Sequence, residues 1–147
     1  MKPLIRNYSS EDLDLVISLL RLSTPDYFHP SEESDLVEYL SSEIEDYYVL
    51  EVKSLILGCG GINYSKRENK AIISWDIIHP DFRSQGLGRL LLTHRLGIIR
   101  EKHISKVVVR SSQKAYKFYE NANFKLTRTQ EDFWAPGFDL FEMELLF

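Results

Sequence analysis

The chain has 147 residues, of which 44% are apolar and 27% charged, and it carries a formal charge of −4. That length corresponds to about one domain with one sizeable core, the composition excludes a disordered chain, and the acidic balance argues against a general nucleic-acid binder. A single cysteine, Cys59, excludes an intrachain disulfide framework, and no Cys/His spacing fits a zinc site, so no metal is expected.

The N-terminal stretch MKPLIRNYSSEDL has no apolar leader core, and no segment approaches the roughly 18 apolar residues of a membrane span. A soluble, cytoplasmic protein with no membrane partner is the expectation. No repeat, low-complexity tract or linker divides the chain, so residues 1–147 read as a single domain. PLIRNY predicts a short strand. In SSEDLDLVISLLRL, Ser9 or Ser10 caps a helix whose apolar residues Leu13, Val16, Ile17 and Leu20 share one face. A second helix is predicted after Pro30, with Leu36, Val37 and Leu40 on one side. Tyr27, Phe28 and His29 fall in the loop between the two helices.

The period then changes. YYVLEV and SLILGCGGINYS read as strands joined tightly at Lys53-Ser54, and KRENK reads as a polar turn before the strand AIISWDII. A long helix is predicted from about Gly86 to Lys102. It is followed by the strand SKVVVR, a shorter helix over SQKAYKFYENA, and closing strands within FKLTRTQ and FDLFEMELLF. The first three long strands make an antiparallel meander. The strand–glycine turn–helix–strand order is a crossover, which sets AIISWDII and SKVVVR parallel.

The glycine turn in HPDFRSQGLGRLLL carries the chemistry. A helix N-terminus offers unpaired N–H groups and the positive end of the macrodipole, and glycines let an anion come close. Gly86-Leu87-Gly88 lacks the third glycine of a dinucleotide fingerprint, and Gly88-Arg89-Leu90 lacks the Lys-Ser/Thr of a P-loop. The competing reading is a turn that only packs helix against sheet.

Arg83-Ser84-Gln85-Gly86-Leu87-Gly88, placed after Ile78-His79-Pro80, resembles the R/Q-x-x-G-x-G/A acetyl-CoA signature of the GNAT N-acetyltransferases. AYKFYENANF resembles that family's A-x-x-F-Y-x-x-x-G-F segment, and the order of elements matches over nearly the whole chain. The resemblance implies an α/β single-domain GNAT-like fold: a mixed, mostly antiparallel sheet with a parallel, splayed central strand pair and flanking helices. It also implies direct acetyl transfer from acetyl-CoA to a primary amine of a small molecule or peptide. Asp76, Ile77 and Ile78 would pair with the pantetheine amides. The main chain of Gln85, Gly86, Leu87, Gly88 and Arg89, with Ser84 in the turn, would cradle the diphosphate. Arg83 and Arg89 would add charge, and Ser112 would offer a hydroxyl where many members carry asparagine. Asn123 replaces the family's usual glycine.

Tyr119 is the residue that resemblance turns toward the thioester sulfur. Its spacing with Ala115, Phe118 and Ala122 also suits a core tyrosine. A tyrosine of pKa about 10 protonates a thiolate of about 8.5 only uphill, by roughly 2 kcal/mol, so a hydrogen bond to the sulfur serves as well as full transfer. The amine must lose a proton at a cost of roughly 4 to 5 kcal/mol at neutral pH. Many members place a glutamate twelve residues before the tyrosine, but Val107 stands there. Asp76 is the first candidate base, with His29 and His79 behind it, and the competing role for Asp76 is an ion pair with an arginine.

His94 reads as a packed or interfacial histidine, and Cys59 as a small buried hydrophobe. The acids of SEESDLVEYLSSEIED read as a solvated face. DFWAPGFDL is expected to be an exposed loop whose aromatics form either an acceptor wall or a homodimer contact. A non-catalytic acyl-CoA-binding sensor is the rival function, kept open by Val107 and Ser112.

Overall fold

A computed structural model describes residues 2–147. Seven strands form one sheet in the order β1-β2-β3-β4-β5-β7-β6. They are β1 (Leu4–Asn7), β2 (Asp46–Val52), β3 (Leu55–Ser65), β4 (Lys70–Ile78), β5 (Lys106–Ser111), β6 (Lys125–Ala135) and β7 (Phe138–Leu146). The helices are α1 (Leu13–Leu22), α2 (Glu32–Glu38), α3 (Leu87–Glu101) and α4 (Tyr116–Asn121). Every pair of neighbouring strands is antiparallel except β4 and β5, as the crossover requires.

Alternation along β2 shows how the sheet is buried on both sides. Tyr47 and Val49 face a cluster with Val16, Leu20 and Leu36 of α1 and α2. Tyr48, Leu50 and Val52 face Leu91, Leu92 and Ile99 of α3 and Tyr119 of α4. The two helical pairs therefore cover opposite faces. Cys59 lies in the first cluster, fully buried, and burial pushes its thiol up to about 12.

Ser9 starts the helical layer. Its hydroxyl accepts from Glu11 N while the Asp12 carboxylate accepts from Ser9 N, a capping box that closes the turn before α1. Arg6 of β1 grips both oxygens of Asp12 at 2.9 Å and holds that carboxyl below its ordinary range. Lys53 and Ser54, at φ 51° and 67°, form the tight β2–β3 turn, whose backbone twist matches the strands it joins.

The break in the sheet lies at β4. Gly61 pairs with Ser74 and Cys59 with Ile77, so Gly60 faces both Trp75 and Asp76. Trp75 takes the extra residue's strain at φ 48°. β4 contacts β5 only from Lys70–Ile73 to Lys106–Val109, and beyond that point the strands diverge.

Two expectations need correction. DFWAPGFDL is not a loop, because β6 runs to Ala135 and β7 restarts at Phe138 around a Pro136-Gly137 turn with Gly137 at φ 85°. The strand survives there because Ala135 pairs with Phe138, Gly137 N donates to Asp132 Oδ1, and Trp134 Nε1 donates to Ser111 O of β5. The second helix starts at Glu32 rather than at Pro30. His94 is exposed on α3, with its ring edge against Tyr48 at 5.1 Å.

Candidate active site

The divergence of β4 and β5 opens a cleft of about 980 Å³. Residues from both helical layers line it, so it passes through the sheet from one face to the other.

On the α3 side, Gly86 precedes the helix at φ 82°, and a Cβ built there meets nothing within 4 Å. The glycine is present for its conformation. No side chain caps α3, and the first main-chain bond of the helix is Leu90 N to Gly86 O. The preceding amides are left free at the positive end of the dipole. Gly88 has a different cause: a Cβ there would lie 3.2 Å from Phe118 of α4. Leu87 is buried and anchors the turn, Gln85 is exposed, and Ser84, Gly86, Gly88 and Arg89 line the cleft. Arg89 Nη1 reaches Asn121 O at 3.4 Å. The Arg83 guanidinium donates to Ser23 Oγ at 2.8 Å and sits 3.7 Å over the Tyr27 ring, at the rim where the α1–α2 connection meets the turn. Ser112 lines the cleft and accepts from Lys114 N, shaping the turn into α4. Ile78 lines the cleft with Ile77, although the Ile77 side chain is almost fully buried against α1 and α2.

At the centre the Tyr119 hydroxyl donates to Asp76 Oδ2 at 2.5 Å. Tyr119 is buried, and burial first, then the Asp76 charge, holds its hydroxyl well above the ordinary tyrosine range. Asp76 Oδ1 lies 2.5 Å from Arg95 Nη2 in an ion pair, and that buried oxygen has no hydrogen-bond partner. Arg95 is completely buried in α3, donating from Nε to Leu91 O and from Nη1 to Gly61 O. Sequence reasoning missed Arg95. Its signal was present, since it falls four residues after Leu91 and four before Ile99, on the apolar stripe of α3.

On the α1–α2 side, Phe28 stacks on Trp75, and Tyr39 donates to Asn63 Oδ1, which also accepts from Ser74. Glu32 is buried there, accepts from His29 N at 2.8 Å, and is pushed up by desolvation. Trp134 and Phe138 close the wall. The aromatics of DFWAPGFDL are thus split: Trp134 and Phe138 reach the cleft, while Phe133 lies under Arg110 at 4.9 Å. Neither His29 nor His79 lines the cleft: His29 Nδ1 pairs with Ser31 Oγ, and His79 Nδ1 accepts from Asp81 N. Val107 is buried in the core. Among the described residues no cluster of three or more His, Cys, Asp or Glu side chains could hold a metal.

The family model for the acetyltransferase (GNAT) domain matches residues 7–147. The amino-acid acetyltransferase of Shewanella oneidensis is 25% identical over 122 residues, covering 80% of this chain and 26% of that protein. The amino-acid acetyltransferase of Mannheimia succiniciproducens is 27% identical over 108 residues, covering 70% of this chain and 24% of that one. The chain thus spans about a quarter of the length of these curated relatives. Among solved structures, the ribosomal-protein-S18-alanine N-acetyltransferase of Escherichia coli superposes with a TM-score of 0.82 at 16% identity, covering 99% of this chain and 94% of that one. The PaiA N-acetyltransferase of Thermoplasma acidophilum, solved with coenzyme A, superposes with a TM-score of 0.77 at 20% identity over 100% of both chains. The chain belongs to the GNAT acetyltransferase family.

Proposed function

We propose that this protein transfers the acetyl group of acetyl-CoA directly to a primary amine, without a covalent enzyme intermediate. The observation that carries this reading is a cleft through the sheet, with free α3 amides on one face, the Asp76–Tyr119 pair at its centre and an aromatic, acid-bearing wall on the other. Two bound partners can meet there from opposite faces, and transfer then needs only their alignment and a route for one proton.

The diphosphate would lie on the amides from Gln85 to Arg89, with Arg83 and Arg89 at its edge. Beyond Ile73 the β5 side of β4 has no strand partner, so Asp76, Ile77 and Ile78 offer an edge to the pantetheine arm, with Ser112 across from it. Asp76 would accept the amine's proton, and Tyr119 would donate to the departing sulfur. Glu32 and Glu43 beside Trp75 and Tyr39 favour a cationic amine as acceptor, on a small molecule or a peptide. The relatives' name, amino-acid acetyltransferase, agrees with a small acceptor. Nucleic acid finds no support in a formal charge of −4. Among the described residues no helix is long and apolar enough to cross a membrane.

One observation favours the rival sensor reading, namely that the Tyr119 hydroxyl is engaged with Asp76 rather than free. Thiol release from acetyl-CoA over pooled amines separates the two, run beside thermal shifts with coenzyme A, NAD and ATP. Transfer predicts release that Tyr119→Phe suppresses. Tight coenzyme A binding with no release on any pool supports the sensor, and a shift with NAD alone discards both.

A further inference from the structure

A guanidinium taken out of water costs several kcal/mol that its ion pair only partly returns, and apolar residues of similar volume are often as stable or more so. Arg95 is nonetheless fully buried between Leu91 and Ile99. Its bonds to Leu91 O and Gly61 O tie two of its nitrogens to main chain on α3 and β3, which leaves Nη2 as a fixed cation against Asp76 Oδ1. Gly60 closes the other side of that oxygen, because a Cβ there would collide with it. Oδ2 is therefore the carboxylate oxygen left for the cleft, and it already holds the Tyr119 hydroxyl.

We propose that Arg95 is a positioning residue that holds the Asp76 carboxyl group aimed at Tyr119, so that Asp76 and Tyr119 form one relay carrying the acceptor's proton to the departing thiolate. This rests on the acetyl-transfer reading above. The ammonium first gives one proton to solvent; as the neutral amine nitrogen then bonds to the thioester carbon, its second proton passes to Asp76 Oδ2. The C–S bond then breaks and the thiolate takes the Tyr119 hydroxyl proton. Tyr119 recovers a proton from Asp76 along the bond between them, so the amine's proton ends on coenzyme A and both side chains return to their starting states. The order is enforced by charge. A phenolate beside an anionic Asp76 is strongly disfavoured, and that repulsion vanishes once Asp76 is protonated. The groups facing Asp76 are Arg95 from α3, Tyr119 from α4, and Cys59 and Tyr47 from β3 and β2, the last two kept protonated by burial.

The test is kcat for Arg95→Met, Asp76→Asn and the double variant, with KM for acetyl-CoA measured alongside. Arg95→Met is expected to lower kcat about 100-fold, the lower end of the range for a positioned acid or base, with KM changed by less than about threefold. The double variant is no slower than Asp76→Asn, since Arg95 acts only through Asp76. An Arg95→Met kcat within about threefold of wild type, or a double variant slower than Asp76→Asn, would overturn the proposal. Where a single variant does not fold because it leaves a buried charge unpaired, Arg95→Lys, which keeps the cation but not the fork, decides: a lowered kcat at an unchanged acetyl-CoA KM supports positioning, and wild-type kcat overturns it. Wild-type protein that binds coenzyme A but releases no thiol overturns the transfer reading and the relay together. Defects confined to the double-variant comparison bear on Arg95 alone.

Discussion

Phe28 lies nearly parallel to Trp75, their ring centroids 6.2 Å apart and their planes 19° from one another. The pair couples the α1–α2 connection to the strained residue of β4, since Trp75 is the residue at φ 48°. Phe28→Ala uncovers one face of the Trp75 ring. The expected result is a several-fold rise in the acceptor KM, with that for acetyl-CoA unchanged, and a stability loss of about 1–2 kcal/mol for a half-buried ring. A change in the acetyl-CoA KM alone would place the stack on the wrong side of the cleft.

Gly60 is required by the side chains opposite it rather than by its backbone. An added methyl would collide with Asp76 Oδ1 and lie 2.8 Å from Arg95 Nη1. Gly60→Ala is therefore expected to separate the ion pair at a cost of about 1–3 kcal/mol in stability and to lower kcat while coenzyme A binding holds. Full activity in a crystal-verified Gly60→Ala protein would show that the pair needs no such closeness.

Base should destabilise the protein through its buried phenols. Tyr39 is pushed up to about 12 by burial, and Tyr47 and Tyr119 lie well above their ordinary range. Their folded values exceed the unfolded one near 10, so the stability they carry is complete below about pH 10. It is lost as pH rises, because the unfolded chain gives up phenolic protons that the folded chain keeps. Urea midpoints between about pH 8 and pH 11 should fall more gently in Tyr39→Phe than in the wild type. Equal slopes would remove Tyr39 from the account.

Acid acts through Asp12 with the opposite sign. Its carboxyl is held below the ordinary value, chiefly by the Arg6 hydrogen bonds, so its contribution is present above about pH 4 and is lost as pH falls through the lowered value. Asp12→Asn removes an anion bonded to both Arg6 and Ser9 N, and about 1–3 kcal/mol should be lost at neutral pH. The difference from wild type should shrink toward pH 2. A constant difference across that range would assign the loss to packing.

The elements that periodicity defines could be read before folding: the Leu13–Leu20 stripe, the β2–β3–β4 meander, and the parallel β4–β5 pair that a crossover demands. Arg95 could not be read in the same way. An arginine on a helix is ordinarily solvated, and its burial depends on an aspartate delivered by a bulge in a distant strand. No local rule predicts that bulge, because Gly60-Gly61 and Trp75 become a strained pairing only when β3 and β4 meet. Pro136-Gly137 misled in the other direction. Pro-Gly marks a turn, and the strand pairing on either side of it is set by Asp132, Trp134 and Phe138 reaching partners far along the chain or across the hairpin. Tyr119 was legible as a candidate from its motif, but its hydroxyl partner was not.

Cys59 has a consequence for how such a protein tolerates its own product. Each acetyl transfer would leave a free thiol, and the oxidised form of coenzyme A is a disulfide open to attack by accessible thiolates. The chain's single sulfhydryl is sealed behind α1 and α2 and stays protonated at any ordinary pH. It cannot form an adduct with spent cofactor, so turnover should proceed at the same rate with or without dithiothreitol in the buffer.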